Sequence, residues 1–202
     1  MNPPKPRHAD VSITSTPQRS RVPILTFSIT AIAFSISLTA NAGPFSLTRH
    51  SVEIAERGLV TQTVLMTTNS RFSFVAPAGW SASLNTNAEM VTWLWADLSS
   101  TITLKIISVS HQLSAEQQRS TTLSRFPGAK IENEFPCYTS GSQGHAIDLR
   151  TTVNGTLVRA IRVARVAFQS AAVEFELMCP PDLFGRHERE FTELLNSFRI
   201  ER

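Results

Sequence analysis

The sequence predicts an α+β fold built on an antiparallel β-meander, with one helix inserted and one following it. Three observations carry this. Apolar and polar residues alternate at period two through Arg71–Val75, Thr101–Val109 and Ala172–Met178. Asn154-Gly155 sits between two extended runs, and both residue types tolerate the positive φ of a tight hairpin turn. After Pro180-Pro181, apolar residues recur at helical spacing to Phe198.

The elements follow in order. Between residues 43 and 70, Val52, Ile54 and the run Leu59 to Met66 suggest extended segments, and Thr67 to Ser70 is a polar break. Arg71 to Val75 is a strand, turned by Ala76-Pro77-Ala78-Gly79-Trp80. Met90 to Ala96 places Val91, Trp93 and Trp95 on one face and pairs with Thr101–Val109 through Asp97 to Ser100. Ser114 and Gln117 have capping-box spacing, so a short helix runs to Arg125 and stops at Pro127-Gly128. Ala129 to Phe135 is extended and leads into a Ser/Gly loop at Ser140 to Gly144. His145–Val153 and Thr156–Phe168 flank the Asn-Gly turn. Leu157, Ile161, Ala164 and Phe168 also fit a helical stripe, but the turn and the β-branched content decide for strand. The last helix is capped by Asp182. Phe184, His187, Phe191, Leu194, Leu195 and Phe198 face inward, while Arg186, Glu190, Glu193 and Asn196 face water.

Residues 1–42 read as an address. Lys5, Arg7, Arg19 and Arg21 precede or border an uncharged run, Val22 to Ala40, which ends in the small-x-small pattern Ala40-Asn41-Ala42. This is the order of a secretory signal peptide, with cleavage before Gly43 and an extracytoplasmic protein as the outcome. The same run would serve as an uncleaved membrane anchor, and only then is a membrane a partner. Residues 43–70 form a lead-in, and 71–202 a single domain. Of 19 Lys+Arg and 16 Asp+Glu, the first 42 residues hold four basic and one acidic, which leaves 15 of each in the remainder. A neutral domain lacks the electrostatic footprint of a nucleic-acid binder, and none is expected as a partner.

Export would bring Cys137 and Cys179 into an oxidising compartment, and a disulfide between them is the expectation. Closing that loop would contribute about 3–4 kcal/mol in the chain-entropy model. The alternative is two separately buried thiols.

No catalytic, cofactor-binding or metal-binding constellation is found, so an enzyme is not expected and no cofactor is implied. His187-Glu188-Arg189-Glu190-Phe191 begins like a zinc-protease helix, but Phe191 stands where the second ligand belongs. Ser142, His145 and Asp148 lie close, yet no nucleophile elbow surrounds Ser142, and His145 and Asp148 fall on opposite faces of a strand. Arg159 and Arg165 share a face opposite Arg162, where pairing with Glu174 and Glu176 competes with an anion patch. Trp93 and Trp95 read as core.

Phe72-Ser73-Phe74-Val75-Ala76-Pro77-Ala78-Gly79-Trp80 resembles the F-x-F-x-x-P-x-G-W opening of the PsbP-like superfamily. Phe126-Pro127-Gly128-Ala129, the Asn154-Gly155 hairpin, and the ending Phe175 to Pro180 with Phe184, Phe191 and Leu194 to Phe198 extend the resemblance over Phe72 to Ile200. That family includes an extrinsic oxygen-evolving subunit of photosystem II, a nuclear-transport protein that binds a small GTPase, and exported bacterial proteins without an assigned role. The resemblance implies an antiparallel sheet flanked by helices on both faces, an α/β/α sandwich. It also implies a non-catalytic protein-binding or assembly module, whose unknown partner would be a protein such as a membrane-complex subunit. The rival expectation is a small extracytoplasmic ligand-binding protein or hydrolase, with a pocket assembled from distant residues such as His111, His145 and Asp148.

Overall fold

The computed structural model describes residues 45–54, 58–108, 113–153, 155–168 and 171–201. The signal peptide or anchor expected over residues 1–42, and His111, lie outside them. In chain order the strands are β1 (Ser46–Ile54), β2 (Gly58–Met66), β3 (Arg71–Val75), β4 (Ser81–Asn85), β5 (Met90–Leu94) and β6 (Thr101–Ser108). Helix α1 (Ala115–Arg125) follows, then β7 (Lys130–Thr139), β8 (Ser142–Val153), β9 (Thr156–Ala167) and β10 (Ala171–Cys179). A 3-10 turn (Pro181–Leu183), helix α2 (Phe184–Ser197) and β11 (Arg199–Glu201) complete the chain.

The strands form two antiparallel sheets, a small one in the order β1-β2-β3-β11 and a large one in the order β4-β5-β6-β10-β9-β8-β7. This corrects the expected α+β class and its α/β/α sandwich: the described chain is mainly two antiparallel β-sheets with two short helices. The lead-in supplies the long β1–β2 hairpin, and β2 recruits β3 into a second sheet. That sheet and α2 together cover one face of the large sheet, where a helical layer was expected. Leu65, Phe72 and Phe74 from the small sheet meet Trp93, Leu104, Phe175 and Leu177 from the large one. Phe198, just past α2, stacks on Phe72 at 5.2 Å and Phe74 at 5.7 Å and meets Phe175 edge-on at 5.0 Å. On the opposite face, Ile147, Leu149, Ile161 and Val163 pack with only Leu123 of α1 and with Phe126 and Ile131 beyond it. The polar sequence AEQQRSTTLSR leaves α1 too little apolar surface to form a layer.

Local chemistry accounts for most boundaries. Ser114 Oγ accepts from the Gln117 N–H while Gln117 Oε1 accepts from the Ser114 N–H, the reciprocal pair that starts α1. Gly155 adopts φ +77° in the β8–β9 turn, a conformation favoured by glycine. The helical stripe from Leu157 to Phe168 is overruled, because β9 pairs on both sides with β8 and β10. Several boundaries differ from expectation: β4 falls where no strand is expected, and β8 begins at Ser142, inside the loop expected over Ser140 to Gly144. Pro136 does not end β7, because β7 is the sheet's outer strand and a missing N–H is tolerated there. Asp182 falls inside the 3-10 turn, and α2 starts at Phe184 behind Leu183, which makes no side-chain capping bond.

The expected disulfide is absent: Cys137 and Cys179 are buried free thiols. Register explains why. Cys137 lies beside Gly144, which pairs with Val166, which pairs with Val173. Cys179 is six residues further along β10, roughly 20 Å along the strand and three strand spacings across. A disulfide requires Cα atoms within about 7 Å.

Candidate functional site

Helix α2 carries two polar clusters into the interface with the large sheet. Asp148 on β8 and Arg162 on β9 are cross-strand partners facing α2. Arg162 donates from Nε to Asp148 Oδ1 at 2.6 Å and from Nη2 to Oδ2 at 2.8 Å, and Nη1 donates to Glu188 of α2 at 2.8 Å. The rings of Phe135 and Phe184 lie 4.8 and 5.2 Å from its guanidinium carbon. Burial opposes the charge, but the hydrogen bonds and charges of Asp148 and Glu188 outweigh it and raise the Arg162 pKa above its ordinary value.

In the second cluster, Glu190 Oε2 accepts from Trp80 Nε1 at 2.9 Å and lies 3.0 Å from His187 Nδ1. Trp80 and Trp95 pack on the fully buried His187 ring at 4.9 and 5.2 Å. Glu190 is therefore drawn into the interface, contrary to the expected outward face. His187 is a packed interface residue, and Phe191 is core. Among the described residues no group of three or more His, Cys, Asp or Glu side chains is arranged to hold a metal.

The remaining sequence-level candidates separate. Asp148 is committed to Arg162, while His145 points to the other face of β8, its Nε2 at 3.8 Å from Glu134. These two residues do not meet. Arg159 and Arg165 share the face opposite Arg162, since the β8–β9 irregularity lies between Thr151 and Thr152, before that run. Trp93 is fully buried and Trp95 partly so. Glu174 and Glu176 are both ion-paired with Arg125 of α1. That pairing lies in a shallow cleft of about 340 Å³, which Lys105 and Arg165 also line. Burial raises the Glu176 carboxyl pKa above its ordinary value; Arg125 opposes this and the Glu174 charge adds to it.

Sequence reasoning missed the Trp80–Glu190 bond, which spans 110 residues. The i,i+3 spacing of His187 and Glu190 was its only local trace. It also missed the exposure of β1. Residues Gln62–Met66 of β2 pair with β3, whereas β1 pairs with β2 along all nine of its residues. The tip therefore extends beyond β3 as a two-stranded ribbon, and Leu59 on it is 78% exposed. No helix among the described residues is long and apolar enough to cross a membrane.

No family model matches the sequence, and no curated protein is similar to it in sequence. Solved structures are similar in fold. A cyanobacterial PsbP (CyanoP) from Synechocystis sp. PCC 6803 superposes with a TM-score of 0.53 at 15% identity, covering 82% of this chain and 99% of its own. The fold is PsbP-like. LpqN, described as involved in cell envelope biogenesis of Mycobacterium tuberculosis, superposes with a TM-score of 0.52 at 13% identity, covering 77% of this chain and 92% of its own. At these identities the PsbP-like fold is shared, and no functional residue transfers with it.

Proposed function

We propose that this chain is an exported, non-catalytic module that binds a partner protein by accepting an extended segment along the edge of β1. The observation that carries the reading is the contrast among sheet edges. β7 is protected by Pro136 and an irregularity between Ile131 and Asn133. β4 and β11 are only five and three residues long. β1 is nine residues long, in unbroken register with β2, and contains no proline. Among the described residues its outer edge has no partner strand, and such an edge presents a row of N–H and C=O groups to another strand. The ribbon itself would gain from a third strand, because a two-stranded hairpin is marginal alone. Export is supported by the pattern of residues 1–42. A non-catalytic role is supported by the carboxylates of the α2 interface, which are consumed in internal bonds.

Site-directed photo-crosslinking in the native envelope tests this. A photoreactive residue at His50 should give one dominant protein adduct, lost on Leu59→Lys with thermal unfolding unchanged. The same probe at Asn196, exposed on α2, should give none. Absence of an adduct from β1, or equal adducts from both positions, would overturn the reading.

A further inference from the structure

The face of the large sheet opposite α2 has a second cleft, of about 250 Å³, between the first turns of α1 and the β8–β9 pair. Ala115, Gln118, Gln143, Gly144, His145 and Arg165 line it. Three buried side-chain atoms without a hydrogen-bond partner belong to this lining: Arg165 Nε, His145 Nδ1 and Gln118 Oε1. Buried polar atoms ordinarily find partners, and leaving one unmade costs about 1–3 kcal/mol, more when it is charged.

Each orphan is held in place by what its neighbours do. Gln118 Nε2 donates to the Leu113 carbonyl at 3.3 Å, which leaves Oε1 as a free acceptor. His145 turns Nε2 towards Glu134, leaving Nδ1 free. Arg165 is only 9% exposed and forms no ion pair among the described residues. Glu174, its register partner on β10, is held by Arg125. A buried cation thus lies between the two clefts, with Glu174 engaged by Arg125 and Glu134 by Arg119. Ala115 is the first residue of α1, whose N-terminal end adds positive potential. Glycine at 144 is required on the opposite, α2-facing side of the sheet, since a Cβ there would lie 2.2 Å from the Arg165 carbonyl oxygen and 2.8 Å from Val166 Cγ2.

We propose that this cleft binds a small carboxylate that also carries a hydrogen-bond donor, such as a hydroxyl or amine. The Arg165 guanidinium takes the carboxylate, Gln118 Oε1 accepts from the ligand's donor, and His145 Nδ1 makes the third bond. Volume supports a small acid, because the cleft is below the roughly 300–1,000 Å³ of sites for drug-sized ligands. The site is independent of the β1 edge, and neither depends on the other being correct.

The test is an NMR titration of the 15N-labelled full-length chain with lactate, malate or alanine, against acetate and sodium chloride at matched ionic strength. At roughly 100 mM ligand, a millimolar dissociation constant gives near-saturation. The expected result is saturable shifts at Gln118, Gly144, His145 and Arg165 with at least one of the three probes. Acetate should bind more weakly, and Arg165→Gln should weaken binding at least tenfold. Should Arg165→Gln not fold, Gln118→Ala must weaken lactate or alanine and leave acetate unchanged. Shifts reproduced by sodium chloride, no saturation with any probe, or affinity indifferent to these substitutions would overturn the proposal.

Discussion

Cys137 and Cys179 show how a residue's environment sets its chemistry. Both are buried, and burial pushes both thiols up to about 11. At pH 8 the thiolate fraction is then on the order of a thousandth. Native protein should therefore resist alkylation at both positions, and denaturation without reductant should expose two reactive thiols, read by intact mass. No label after denaturation, with two gained once reductant is added, would restore the disulfide. Glu176 offers a second test. Its folded pKa is raised by burial, so its contribution to stability is fully present below the unfolded carboxylate value and is lost as pH rises through the folded one. The stability of wild type relative to Glu176→Gln should fall across that window, measured by urea midpoints from pH 4 upward in about half-unit steps. The presence of two cysteines was legible in the sequence. Their separation was not, because it depends on the registers of three strand pairs.

Helix α2 is the element whose inward stripe was most legible. Phe191, Leu194, Leu195 and Phe198 are all buried at the predicted spacing, and Glu193 is exposed. Phe191→Ala should cost about 3–5 kcal/mol through lost transfer and a residual cavity, whereas Glu193→Ala should change stability by less than about 0.5 kcal/mol. Equal denaturation midpoints would contradict the docked helix. The polar side of the same interface was not legible, since Asp148–Arg162 and Trp80–Glu190 join residues that only the fold brings together. Arg162→Met leaves Asp148 buried without its partner and should cost about 3–5 kcal/mol. Arg162→Met combined with Asp148→Leu should recover much of that loss, because no buried charge is left uncompensated and Glu188, 40% exposed, can turn to water. A double variant no more stable than the single would place the effect in packing around Phe135 and Phe184.

At the scale of the whole molecule, period-two alternation and the Asn-Gly turn found most of the large sheet. They did not reveal the small one. β1 and β2 are poor in sequence signal because Ser, Thr, Arg and His occupy much of the exposed β1 edge. The α2-side cover of the large sheet was accordingly assigned to helices. Export is the expectation that concerns the chain as a whole. N-terminal sequencing of protein recovered from the native host should begin at or near Gly43, and recovery of an intact Met1 from a soluble cytosolic fraction would contradict it.

The seam between β3 and the segment after α2 has a kinetic meaning. Ser197 Oγ accepts from the Val75 N–H across 122 residues, and β11 then pairs with β3 to close the small sheet. Contacts this distant in sequence raise contact order and slow folding, since chain-closure entropy is lost before the contact rewards it. A chain threading stepwise through a translocation pore cannot zip this seam until α2 and β11 have emerged. Until then Phe72 and Phe74 lack the Phe198 ring that stacks between the sheets. The half-emerged chain would present those rings to any holdase waiting on the far side.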